Sequence, residues 1–187
     1  AAWLVGSGIN SKKYSDVTTW LRHRWFKLIG LQSVPTILDA GALSLAGSLK
    51  QPTVITPHSG ELASLLSSRG VHVTAEAIEG DPKKWVQMAA QTLGVTVLLK
   101  GSATFVANDG VVIQLPVATP WLATAGSGDV LAGILGALVA TNAIEILNDY
   151  NHLAYVAASA AYIHNQAAER ASDGGPINAE AIITAIP

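Results

Sequence analysis

Four short stretches of this sequence place glycine at the end of an apolar run or the start of a helix, three of them beside a charged or titratable residue. They are VGSGIN (5–10), ITPHSGE (55–61), LLKGSAT (98–104) and ATAGSGDVLAG (123–133). In the last of them Gly126, Ser127 and Gly128 run into Asp129 and then into residues at helical spacing. Small residues ahead of a helix expose backbone amides, and those amides together with the positive end of the helix dipole make a site for a phosphate or an oxyanion. That accounts for the glycines. Asp129 has two readings: a carboxylate favoured by the dipole in a first turn, or a base that takes a proton from a substrate hydroxyl. Thr124 and Ser127 already offer capping hydroxyls, and two glycines are a costly surplus if nothing approaches the backbone. The second reading is therefore the one carried forward.

The other three stretches stand where strands should end. Lys100 closes the apolar run 95–99 and must reach solvent or meet an anion, while Gly101 permits close backbone approach. Thr104 by itself is an ordinary strand residue. His58 follows a strand that ends at Pro57, so it either donates hydrogen bonds to a ligand or serves as a cap or loop contact. Glu61 falls in the first turn of the following helix, where it complements the dipole. VGSG, with two glycines and no third at dinucleotide-binding spacing, reads equally as a ligand loop or a tight turn.

The elements that must position these residues are legible from periodicity. Short β-branched runs at 2–6, 35–40, 52–57, 95–101, 103–108 and 111–115 predict strands. Helical spacing predicts helices over 15–31, 59–69, 82–93, 128–140 and 150–170, with a short final helix after DGGP at 173–176. NDG at 108–110 joins the last two strands as a hairpin that adds an antiparallel edge. The alternation predicts an α/β fold, a three-layer αβα sandwich around a mostly parallel sheet, and in such sheets ligands bind beyond the carboxyl ends of the strands. The 128–140 helix, apolar on one side and small-residued on the rest, is expected to be buried.

With 187 residues, half of them hydrophobic, the chain suffices for one domain with a sizeable core. No apolar run reaches bilayer-spanning length and the first residues lack a signal-peptide pattern, so a cytoplasmic location is expected. The absence of cysteine excludes disulfides, thiolate catalysis and cysteine-bound zinc. The net charge of −2 conceals an asymmetry: Lys12, Lys13, Arg22, Arg24 and Lys27 cluster early, whereas Arg170 is the sole Lys or Arg after residue 100. The early bases read as a solvated helix face or as groups turned to an anionic ligand, and nucleic-acid binding is not inferred from them.

Taken in order, VGSG, ILDAGAL, VITPHSGELASLL, LLKGSATFV and ATAGSGDVLAG resemble the ADP- or ATP-dependent NAD(P)H-hydrate dehydratase family of the ribokinase-like superfamily. The resemblance runs from Trp3 to the end of the chain. It implies dehydration of the hydrated cofactors NADHX and NADPHX, by phosphorylation of the ring hydroxyl and loss of phosphate. It also implies ADP or ATP as co-substrate, with Mg2+. By match, Asp129 is the base and contacts the hydrate, as do Gly8 and His58. Gly126, Ser127 and Gly128 form the anion hole. Lys100, Gly101, Ser102, Ala103, Thr104 and Gly128 line the nucleotide site, and the metal ligands are unassigned. A homo-oligomer, and an epimerase domain or partner acting on the same substrate, are further expectations.

Three departures from the family pattern stand out. Asn10 replaces a glycine, though Asn tolerates positive φ. Gly41 replaces the second acid of a DAD motif, which leaves Asp39 outside the catalytic assignment. Family members also begin well before Trp3, so the N-terminal part is expected to be absent, leaving roughly two thirds of a family domain. Two rival readings use the same residues: a ribokinase-like kinase of a small alcohol or vitamin precursor, and a non-enzymatic nucleotide-binding or subunit role.

Overall fold

The structure is a computed structural model, and it describes residues 1–6 and 28–187. Six strands form one sheet in sequence order: β1 (Trp3–Val5), β2 (Thr36–Leu38), β3 (Thr53–Ile55), β4 (Thr96–Leu99), β5 (Phe105–Ala107) and β6 (Val112–Gln114). The pairs from β1 through β4 are parallel, and β5 and β6 add the antiparallel hairpin expected at one edge. Among the described residues the α-helical elements include α1 (Ser59–Ser67), α2 (Ala75–Gly80), α3 (Pro82–Leu93), α4 (Ser127–Thr141), α5 (Ala143–Asn148), α6 (His152–Ser172) and α7 (Ala179–Thr184).

Strand alternation builds the layers. Leu38, Ile55, Val97, Leu99 and Phe105 join Leu62, Leu66, Ile78, Val86 and Leu93 in one core, beneath α1, α2 and α3. Their neighbours Ile37, Val54, Leu98 and Val106 point the other way and pack on Leu131, Leu135, Val139, Leu153 and Ala157 of α4 and α6. The expected αβα sandwich is thus present, with central strands apolar on both faces because both are covered. Chain signals set the helix limits. Pro82 opens α3 with Asp81 as its cap, and Gly94 closes it at φ 63.

Three expectations need correction or fall outside these residues. The cap of α4 is Gly126, at φ 83 with no side-chain cap bond, so the Thr124 and Ser127 hydroxyls do not cap it. Glycine takes that left-handed position without a Cβ penalty, and the Ser127 hydroxyl turns inward instead. Nor is α4 buried all round: Val130, Leu131, Leu135 and Val139 are buried, but Gly133 and Ala137 face solvent. The 15–31 helix lies outside the described residues up to Lys27, as do Gly8, Asn10 and the early basic cluster.

Candidate active site at the carboxyl edge of the sheet

The carboxyl ends of β2, β3 and β4 converge on one charged network. Asp39, buried just after β2, accepts a hydrogen bond from Thr56 Oγ1 at 2.7 Å and from Lys100 Nζ at 3.1 Å. Lys100 Nζ also lies 4.0 Å from Glu61 Oε2. The backbone registers these groups: Lys100 N–H donates to Pro57 O at 2.9 Å, and His58 and Lys100 form an isolated parallel bridge beyond the ends of β3 and β4. Gly6, at the end of β1, closes the row, since a Cβ there would stand 3.1 Å from Asp39 Cβ. Ala40, next to Asp39, is held at φ 47, a costly conformation for a residue with a Cβ.

His58 is the cap of α1. Its Nδ1 accepts from the Gly60 and Glu61 amides at 3.1 and 3.3 Å, and its own N–H donates to Glu61 Oε2 at 2.9 Å, a reciprocal capping box. The capping role anticipated for this position is therefore real, and so is the helix-terminal role of Glu61. Because Nδ1 is the acceptor, Nε2 is the donor of the neutral ring, and it lies 3.6 Å from Glu61 Oε2 on a side chain that is 60% accessible.

The head of α4 meets this network from the other face of the sheet. A Cβ on Gly128 would lie 3.8 Å from Lys100 Nζ, so the ammonium stands beside the first turn of the helix. Among the described residues the amides of Gly126 and Gly128 have no acceptor, whereas Ser127 N–H reaches Thr124 O at 3.3 Å. Asp129 is exposed, one residue past Gly128, and accepts no hydrogen bond from another described residue. Among the described residues a carboxylate that makes no cap bond, amides without an acceptor and an ammonium are groups able to serve transfer of a phosphoryl group to a hydroxyl.

Lys100, Gly101, Ser102 and Ala103 line a cleft of about 470 Å³ with Ile78, Glu79, Leu99 and Phe105. Ser59 on its rim donates to Glu79 Oε1 at 2.6 Å. Thr104 is set apart from these four: its side chain is buried and its carbonyl accepts from Leu115 N–H. A separate cleft of about 350 Å³ lies at the amino ends of β3 and β4, against Thr53, Thr96 and Asn108, away from the charged network.

Two residues escaped the sequence reading. Asp39 was set aside because Gly41 lacks an acid, yet it is the partner that holds Lys100. His164, in the Ala-rich α6, lies buried with Nε2 3.5 Å from Ser127 Oγ. Burial lowers its pKa from 6.5 to about 4, against the opposing effect of a hydrogen bond to the Ser127 backbone. A histidine among alanines on a buried helix face was the one available signal.

Comparison with known proteins bears on the family and the fold of the chain. A family model described as NAD(P)H-hydrate dehydratase matches residues 1–187. The chain is 38% identical over 149 residues to the bifunctional NAD(P)H-hydrate repair enzyme of Mycobacterium tuberculosis, which covers 75% of this chain and 28% of that protein. It is 38% identical over 107 residues to the ADP-dependent (S)-NAD(P)H-hydrate dehydratase of Xanthomonas campestris pv. campestris, covering 56% of this chain and 35% of that one. In fold it matches the ADP/ATP-dependent NAD(P)H-hydrate dehydratase of Bacillus subtilis co-crystallized with ATP/Mg2+, with a TM-score of 0.76, 24% identity and coverage of 100% of this chain and 62% of that one. The chain thus spans about a third or less of these two curated relatives.

Proposed function

The chain belongs to the NAD(P)H-hydrate dehydratase family, and we propose that it serves ADP- or ATP-dependent dehydration of NADHX and NADPHX to NADH and NADPH. The observation that carries this reading is the placement of Lys100 Nζ, held by Asp39, beside Gly128 at the head of α4.

In the first step the ring hydroxyl of the hydrate attacks the terminal phosphorus of the nucleotide. Asp129 takes the hydroxyl proton, a new P–O bond forms, and the bond to the leaving phosphate breaks, releasing AMP from ADP or ADP from ATP. The amides of Gly126 and Gly128 and the Lys100 ammonium face the charge on the transferred group. In the second step the C–O bond breaks, phosphate departs with the bonding pair, and a ring proton passes to water, restoring the dihydronicotinamide. Lys100 to Ala103 border the cleft assigned to the nucleotide, with Thr104 behind them. Gly8 and the exposed imidazole of His58 are assigned to the hydrate.

Mg2+ fits this site as an ion carried on the nucleotide. Among the described residues no three His, Asp or Glu side chains converge on one point, and Mg2+ on polyphosphate needs only one or two carboxylates besides phosphate oxygens and water. Asp39 and Glu61 are the carboxylates beside Lys100 that would face it. When bound it neutralises phosphate charge.

The assay mixes purified protein with NADHX and ADP or ATP and follows the return of NADH absorbance. Return of absorbance that depends on nucleotide, cut about 10²- to 10⁴-fold by Asp129→Asn, is the expected result. Absence of any return refutes the reading, and a stable phosphorylated product without NADH identifies a kinase of a small alcohol. We further propose a homo-oligomer, cytoplasmic location and an epimerase acting on the same substrate. Among the described residues no helix is long and apolar enough to cross a membrane.

A further inference from the structure

We infer that His164 is a positioning residue for phosphoryl transfer, fixing the first turn of α4 through Ser127 so that the Gly126 and Gly128 amides stay aimed at the transferred group. The inference rests on the phosphate-handling role proposed above for that turn.

Apart from the bond of Val130 N–H to Gly126 O at 3.1 Å and the packing of Val130, the turn has few fastenings of its own. Its cap is a glycine at φ 83 that contributes no side chain, and Ser127 N–H has only the Thr124 carbonyl at 3.3 Å. Left to the backbone alone, a glycine-flanked turn loses more conformational freedom on ordering than any other sequence would. Ser127 and His164 supply the missing constraint from 37 positions apart, Oγ to Nε2 at 3.5 Å, with both residues more than nine-tenths buried. His164 sits on the 21-residue α6, and Val130, Ala167, Ala168 and Ile182 form an apolar cluster where α4, α6 and α7 meet.

A polar ring in this place costs desolvation that an apolar side chain of similar size would avoid. Ser127 is the one side chain that hydrogen-bonds the ring among the described residues. Because burial keeps the ring neutral down to a pH of about 4, the contact is that of a neutral imidazole and hydroxyl through the neutral range. Its effect is geometric, and geometry matters here: displacement of a reacting group by about 1 Å can cost about 100-fold in rate.

The test compares His164→Phe, His164→Gln, Ser127→Ala and the Ser127→Ala/His164→Phe pair in the purified protein. Affinity for ADP with Mg2+ is read by titration calorimetry, kcat and KM for NADHX by absorbance, and folding by denaturant unfolding. Positioning predicts that His164→Phe lowers kcat about 10- to 100-fold and weakens ADP binding, while KM for the hydrate stays put. Gln, which can carry a nitrogen to the Nε2 position, restores most of both. The two single losses also fail to add in the double variant, as for residues acting through one contact. A folded His164→Phe protein with wild-type ADP affinity and kcat overturns the inference. So does a Gln variant no better than Phe, and if Phe does not fold, Gln and Ser127→Ala decide on the same readings. A wild-type protein that binds ADP but returns no NADH sinks the dehydratase reading instead, and the ADP affinities across the series then still decide on His164.

Discussion

Acidification should destabilise this fold through one buried ring. Burial depresses the His164 pKa from 6.5 to about 4, so as pH falls the unfolded chain takes up a proton that the native state refuses. Stability from this group is complete above pH 6.5 and is lost progressively as pH falls toward 4. At 1.36 kcal/mol for each pKa unit, the loss reaches about 2 kcal/mol at pH 5 and about 3 kcal/mol at pH 4. Against the 5–15 kcal/mol typical of a domain that is a large fraction. Urea unfolding of the wild type and His164→Gln at pH 7, 6 and 5 isolates the effect, because every other titrating group is common to both proteins. The wild-type curve should fall more steeply by about 2 kcal/mol between pH 7 and 5. Parallel curves would show that the ring is not held neutral by its surroundings, and the packing argument for His164 would go with them.

Lys100→Met leaves the Asp39 carboxylate buried with only the Thr56 hydroxyl, and should cost about 2 kcal/mol by urea unfolding. Lys100→Met should also weaken ADP binding read by titration calorimetry, and adding Asp39→Asn should recover most of the stability but not the ADP affinity. Gly126→Ala forces a Cβ into φ 83 and to within 3.1 Å of Ala179 Cβ, so a loss of about 1–2 kcal/mol is expected, together with a fall in kcat. His58→Ala should cost about 1 kcal/mol by removing the α1 cap. His58→Asn keeps an acceptor for the cap, so it should retain stability yet raise KM for the hydrate, and an unchanged KM would leave His58 a cap alone.

The layers were readable because strand alternation feeds two covered faces: Ile37 and Leu38, or Val54 and Ile55, send successive side chains to opposite cores. What escaped were α2 and α5, six residues each, with Ile78 or with Ala143 and Ile146 buried. Such segments are too short to show a 3.6-residue period. They are fixed by tertiary packing and, for α2, by the Thr74 cap. The exposed Gly133 and Ala137 on α4 show the converse: small side chains mark a face as permissive of close packing without stating that anything packs there.

At the site, the sequence identified the strand ends but not the partners, because partnership there is long-range. In sequence Lys100 has either to reach solvent or to meet an anion left unidentified, and in the structure Asp39 stands 3.1 Å from its Nζ and Glu61 4.0 Å. Two carboxylates around one ammonium leave that corner negative, so Lys100 alone is a poor anchor for a polyphosphate. The balance turns on the other half of the site. Among the described residues the Gly126 and Gly128 amides meet no acceptor, and with the positive end of α4 they supply attraction that Asp39 does not cancel, while Lys100 Nζ lies 3.8 Å from where a Gly128 Cβ would stand. Asp39 then serves to aim the ammonium rather than to act on substrate, and it does so without the acid that Gly41 replaces. Ligand selection follows from the same arithmetic of charge. A nucleotide arriving with its Mg2+ meets Asp39 and Glu61 as partners, whereas a bare polyphosphate meets them as repulsion.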